Sequence, residues 1–260
     1  MPVMGGHHAI SGTAAWMALA GSAPVMDHVV GLDLWDLDPA QVVAGAVVAT
    51  GAALLPDIDH PSATISRSGG GLTKAITRAV STVAGHRGAT HTFLAAAFFT
   101  ALAIVVNRLD WQLVVPVVGE VQAGAALLVT VMCALGTRAL KMVEGRLLPW
   151  IVGVASGLLV AVVAPDTSIW LPAAVAVGAL THLIGDLLTT DGIPFPTWPL
   201  VIKPPKRLAS GIWQRSGDIA VPLLGNAGSA REWLVCTVLT GYAVVATVAT
   251  VAAAPWVLAV

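Results

Sequence analysis

Long apolar runs separated by short polar stretches make up most of this chain. Seven of the runs approach or reach the roughly 20 residues that a helix needs to cross a bilayer. They cover residues 9–25, 41–56, 92–107, 115–135, 149–165, 169–188 and 233–257. Several are rich in glycine and alanine, as helices that pack closely in membranes are. The second and third depend on flanking residues to reach full bilayer thickness. In the segment "GLTKAITRAVSTVAGHRG", Leu72, Ile76, Val80 and Val83 recur at helical spacing, with Lys74 and Arg78 on the other face. That is the pattern of an amphipathic interfacial helix. The segment "DGIPFPTWPLVIKPPKR" carries five prolines, which exclude a regular helix, and its Phe195 and Trp198 suit a lip dipping into the interface. The pattern predicts an all-α fold, a polytopic membrane helical bundle of about seven transmembrane helices, forming one domain over residues 1–260.

Composition sharpens this reading. The chain is 57% hydrophobic and only 10% charged, against about 25% charged in an ordinary soluble domain. Too few charges remain to cover a water-facing surface. A net charge of −1 and the lack of any basic stretch interleaved with aromatics exclude a nucleic-acid partner. The N-terminal residues lack the basic region of a cleavable signal peptide, so the first run reads as a retained span. Cys133 and Cys236 lie in separate apolar runs and read as small core residues rather than a disulfide.

Charge also predicts orientation. The stretches 57–91, 136–148 and 189–232 hold twelve of the thirteen lysines and arginines, and the opposite side keeps only Arg108. Basic loops stay cytoplasmic. The N-terminus is therefore expected inside and, with seven spans, the C-terminus outside. Tryptophans near the span ends fit an interfacial belt, and only Trp16 falls well within a span.

This topology brings the scarce ionisable groups together. His7, His8, His60, His86, His91 and His182 all fall at the cytoplasmic face, leaving only His28 outside. His182 and Asp186 are spaced i,i+4 and project from one helix face. After Pro56, "DIDH" puts Asp57 and His60 within reach of a shared helical face or turn. His86 and His91 are five apart, so both point inward only if the glycine of "HRGATH" makes a bend with His86 on it. Carboxylate and imidazole together suit zinc first, with manganese or iron as alternatives, and the absence of nearby cysteine argues against a closed structural zinc site. More than four candidate ligands implies two or more divalent ions, or one ion with an acid/base group and supporting partners. Ionisable groups at membrane depth are costly and seldom incidental.

The residues also carry a family resemblance. "LLPDIDHPS", "GHRGATHTFLA" and "THLIGDLLTTDGIP" resemble, in order, three signatures of the YdjM-like family of bacterial inner-membrane metal-dependent hydrolases. "GNAGSARE" at 225–232 is similar to that family's C-terminal Gly-Asn…Glu element. The resemblance implies His8, Asp57, His60, His91, His182 and Asp186 as metal ligands, with Asp59 and His86 in or beside the shell. "GGHH" offers both His7 and His8 for one N-terminal ligand, and His8 is the nearer to the span.

The expected function is a hydrolase of the inner membrane whose site opens at the cytoplasmic face. A metal-activated water would attack an ester or phosphoester of a lipid or lipid-linked substrate. Asp59 and His86 are the candidate acid/base groups, Asp59 alternatively orienting the ligand histidines. Arg67, Arg87 and Lys203 are candidates for holding a substrate phosphate. Two rivals belong to other classes. A divalent-cation transporter would use the same residue types, but near the bilayer midplane. A membrane scaffold would use the metal only to tie helices together.

Overall fold

In a computed structural model of the chain, residues 4–25, 28–60, 63–84, 88–109, 111–116 and 118–254 are described. Nine α-helices appear among them: α1 Met4–Ala20, α2 Pro39–Ala52, α3 Thr64–Ser68, α4 Gly70–Ala84, α5 Phe93–Arg108, α6 Ala123–Ala139, α7 Leu148–Val163, α8 Trp170–Leu187 and α9 Ala230–Ala252. Single 3-10 turns at Pro56–Asp59 and Ala89–His91 follow α2 and precede α5. Three two-stranded antiparallel ladders fill the connections: β1 Pro24–Val25 with β2 His28–Val29, β3 Gln112–Val115 with β4 Gly119–Gln122, and β5 Ile193–Pro194 with β6 Asp218–Ile219.

Local sequence accounts for the helix starts. Asp38 caps α2 in a reciprocal box with Gln41, and Pro39 follows at the first helical position, where its missing N–H costs nothing. The Thr92 hydroxyl accepts from the Ala95 N–H at the start of α5. Ser229 does the same for Glu232 at the start of α9.

The bundle is assembled around α2, which packs against α1, α6 and α8, while α9 lies on α1, α5 on α8 and α7 on α6. The buried centre consists mostly of small side chains such as Ala49, Ala52, Ala174, Val48 and Val129, with Trp16, Met17 and Trp170 as the large exceptions. The indole of Trp16 donates to the Val42 carbonyl at 2.8 Å, which satisfies its polar atom inside the apolar core. The larger apolar side chains point outward: Phe98, Leu102 and Val105 on α5, Ile151 and Leu159 on α7, Leu234 and Val238 on α9. Small residues inside and large ones outside is the distribution expected of helices whose outer solvent is lipid. Cys133 and Cys236 are buried and free, as expected.

Among the described residues, three stretches are long and apolar enough to cross a membrane: Pro39–Asp59, Trp170–Leu187 and Ala230–Ala252. Helices α5, α6 and α7 are apolar but shorter, at 16, 17 and 16 residues. At about 1.5 Å per residue these span roughly 24–26 Å, short of the ~30 Å hydrocarbon core. Each of the seven expected runs contains a helix, but the boundaries differ. The largest correction is at 115–135, where the helix begins only at Ala123. Residues 112–115 and 119–122 pair as the β3–β4 hairpin, because β-branched valines favour extended backbone and Pro116 and Gly119 (φ +95°) turn the chain. The first run is helical from Met4 and ends at Ala20, before Pro24. The last begins at Ala230 and ends at Ala252, and residues 255–257 of the expected run lie outside the described residues.

The segment read as amphipathic forms helix α4, with Lys74, Ile76 and Arg78 exposed and Thr77 buried. Packing against the Pro56–Asp59 turn turns the threonine side inward. The proline-rich segment is irregular apart from β5, and Phe195 lies against Trp213.

Close helix approach generates a prediction. A Cβ added at Gly12 or at Gly178 would come within 2.5 Å of the same atom, the Ala49 carbonyl oxygen of α2. Backbone cannot yield as a side chain can. Gly178→Ala is expected to destabilise the bundle by about 1–3 kcal/mol, read as a lower thermal unfolding midpoint in detergent. A Cβ at Gly241 on α9 meets nothing within 4 Å, so Gly241→Ala should leave the midpoint unchanged or raise it.

Candidate metal centre

Four separated segments meet at one end of the bundle. Near the start of α1, His8 faces the last turn of α8; a Cβ at Gly185 would lie 3.2 Å from its ring, so the glycine leaves room for it. The 3-10 turn after α2 supplies Asp57 and Asp59. The turn before α5 supplies His91, and α8 supplies His182 and Asp186 on one face. His91, His182, Asp59 and Asp186 are essentially inaccessible and His8 is buried, whereas the Asp57 side chain remains 26% exposed. Asp57 therefore stands at the mouth of the cluster.

Asp186 is the hub. Its carboxylate lies 3.4 Å from His8 Nε2 and 3.5 Å from the Nε2 atoms of both His91 and His182. Asp57 Oδ1 lies 3.7 Å from His91 Nε2 and 3.9 Å from His182 Nε2. The His8 and His182 rings stack at 3.8 Å. Two overlapping trios result, His8–His182–Asp186 and Asp57–His91–His182, and within each the donor atoms all lie within 4.8 Å of one another.

The surrounding groups fix which atoms face inward. His182 Nδ1 donates to the Ala53 carbonyl at 2.7 Å, so Nε2 carries the lone pair that faces the carboxylates. Asp59 approaches His91 from behind: its Oδ2 is 3.5 Å from Nδ1 and accepts a 2.8 Å hydrogen bond from the Thr90 hydroxyl. Asp59 thus lies buried behind the His91 ring, away from the exposed Asp57. Burial pulls the His91 pKa down, but the carboxylates of Asp57 and Asp59 outweigh it and raise it to about 9.

Do these residues fit a divalent metal? His182 Nε2 and both Asp186 oxygens are buried without a hydrogen-bond partner among the described residues, although polar atoms at such depth are ordinarily paired. Donor separations of 3.4–3.9 Å are too long for good hydrogen bonds. They match the ~3.4 Å between neighbouring ligands about 2.0–2.1 Å from a tetrahedral ion. Imidazole and carboxylate donors with no cysteine suit zinc, manganese or iron. The donor set fits.

The two trios do not contain every expected residue. His60 belongs to neither trio: it ends the 3-10 turn with extended backbone, φ −96° and ψ 117°. His86 and Arg87 lie outside the described residues. Arg67 lines a separate hollow, and Lys203 is exposed in the irregular segment before β6. The choice between His7 and His8 has a geometric answer. His7 Nδ1 pairs with Glu232 at the start of α9, with its ring edge-on to Trp233, and only His8 reaches Asp186. Thr90 and the Ala53 carbonyl escaped sequence reasoning. Thr90 sits inside the "HRGATH" stretch, but a backbone carbonyl leaves no signal in residue identity.

A family model described as YdjM inner membrane protein matches residues 3–256. The chain belongs to that family. No curated protein and no solved structure matches it.

Because His182 Nε2 belongs to both trios, His182→Ala is expected to abolish stoichiometric metal, measured by elemental analysis of purified protein. Thr90→Ala should keep the ligands but loosen His91. It should bind metal at saturation with about 10–100-fold lower affinity in a chelator competition. Wild-type metal content in His182→Ala would remove the centre as drawn.

Proposed function

We propose that this inner-membrane family member is a metal-dependent hydrolase acting on an ester or phosphoester of a lipid or lipid-linked substrate. The observation that carries this reading is the pair of buried trios sharing His182, with partner-less donor atoms within and the more exposed Asp57 at the mouth. Five donors exceed what a purely structural ion needs. A divalent metal held there, with zinc the first choice, would supply Lewis acidity and an activated water at neutral pH.

The chain's own groups do the rest. Ala53 holds His182 in one tautomer, and Thr90 with Asp59 orients His91. Burial of His8, His91 and Asp186 keeps bulk water from competing for the donors, while the partial exposure of Asp57 leaves one side open to a substrate. The transporter reading calls for ligands midway along the helices. Here the donors sit in the first turns of α1, the last turns of α8 and two turns at that same end.

Asp186→Asn keeps the side-chain shape while removing the hub charge. Turnover of lipid phosphoesters, lipid esters or soluble model esters is expected to fall about 10–100-fold and to recover partly with added metal. Asp166→Asn, at an exposed carboxylate that accepts from Ser168, should leave turnover unchanged. Metal-loaded wild type without turnover on any of these substrates, but with metal flux in proteoliposomes, would favour a transporter.

The proposed orientation has the N-terminus and the metal centre cytoplasmic, on the strength of the twelve-to-one distribution of basic residues. Single cysteines placed between residues 63 and 84 should be labelled only from the cytoplasmic side. Labelling from outside would reverse the topology.

A further inference from the structure

A second polar feature lies at the same end of the bundle and takes no part in the metal centre. Arg67 at the end of α3, Lys74 on α4, Arg138 at the end of α6 and Arg146 before α7 line an open hollow of about 460 Å³ together with Gly70 and Gly71. The charged side chains lining it all have one sign, and among the described residues none of the four forms an ion pair with a carboxylate. Bringing four cations from two separate stretches of the chain around one space without a counter-charge is unfavourable unless an anion joins them.

The walls are held in place. Trp150 at the start of α7 donates to the Ser68 carbonyl at 2.7 Å, tying α7 to the end of α3. The Thr73 hydroxyl accepts from Gly69 N–H and donates to the Ser66 carbonyl, which sets the α3–α4 bend. Arg138 donates to the Gly145 carbonyl at 3.2 Å, bracing the loop that carries Arg146. A Cβ at Gly70 or Gly71 would meet nothing within 4 Å, so the floor is open to a ligand. In the stretch that carries Arg138 and Arg146, Met142, Leu147 and Leu148 expose large apolar side chains. Cationic groups beside exposed apolar ones belong at the depth where lipid phosphates lie.

We propose that this hollow binds a phosphate group, supplied by the headgroup of an anionic phospholipid, at a site separate from the metal centre. Two guanidinium groups and an ammonium group facing one phosphate give charge-assisted hydrogen bonds, with Arg67 as a fourth cation. The exposed apolar side chains next to Arg146 in the chain would meet the acyl chains. Binding at this site would hold the α3–α4 segment against the membrane surface, next to the Pro56–Asp59 turn on which α4 packs.

The test uses the full-length protein in a neutral detergent, titrated with short-chain phosphatidylglycerol, with phosphatidylcholine of the same chain length, and with inorganic phosphate. Phosphatidylglycerol should bind most tightly, and its affinity should fall with added salt, as the Debye length shrinks from about 10 Å at 0.1 M to about 3 Å at 1 M. The double variant Arg138→Gln/Arg146→Gln should lose about tenfold or more in affinity, and so should Lys74→Glu, which changes only an exposed α4 position. Arg146→Lys should retain most of the binding, and Arg108→Gln at the opposite end all of it. Inorganic phosphate binding as tightly as the lipid, with the same sensitivity to the variants, would keep the phosphate site but make its source soluble. Variants that bind phosphatidylglycerol like wild type would overturn the proposal, as would equal binding of phosphatidylcholine. Metal content measured on the same preparations separates this outcome from any failure of the hydrolase reading.

Discussion

A carboxylate with almost no access to water, set in an apolar bundle, has to be balanced where it stands. Asp186 is in that position, and three imidazoles from three different segments close around it. Leaving such a charge uncompensated would cost several kcal/mol, a large part of the stability of an ordinary domain. The need to bring His8, His91 and His182 to one point governs much else. It requires α1 to lie along α8, which Gly185 permits, and it requires α2 to stop where Pro56 stops it. It also requires α5 to be preceded by a tight turn rather than by further helix.

Much of this was legible in the sequence because it follows from short-range rules. The i,i+4 spacing of His182 and Asp186 fixes their common face whatever surrounds the helix. The sidedness of the basic residues places most histidines at one end without any knowledge of packing. What could not be read depended on turns a few residues long. Asp57 and His60 were expected to share a helical face or turn, and i and i+3 do eclipse in a 3-10 helix. The turn ends at Asp59, however, and His60 continues in extended backbone, so the shared direction is lost one residue too early. The hairpin at 112–122 was hidden for a related reason. A run of valines is apolar in either conformation, and hydropathy alone does not separate a short strand pair from the start of a helix. The role of Ala53 lies in its carbonyl, which every residue carries.

The same contrast runs through the bundle. Composition announces a protein surrounded by lipid, but which helices face lipid is decided by where small residues fall. The close contacts of α2 with α1 and α8 at Ala49 need glycine on the facing helix, and the bulkier side chains are left to the outer surfaces of α5, α7 and α9. Shape sets the arrangement of the helices, and polarity sets only which end of the bundle carries chemistry.

His7 and His8 are neighbours, about 100° apart around α1. One is fastened to Glu232 at the head of α9, the other to the centre on α8. Together they fix the rotation of α1 like two pins through one shaft, since no turn of the helix can keep one contact while giving up the other. Glu232 lies on α9, far along the chain from α1, so this pin is supplied by a different segment from those that supply the donors. A chain cut short before α9 would still carry all five donors, yet it would lack the pin that aims His8. The arrangement of the five donors thus depends on a helix that contributes none of them.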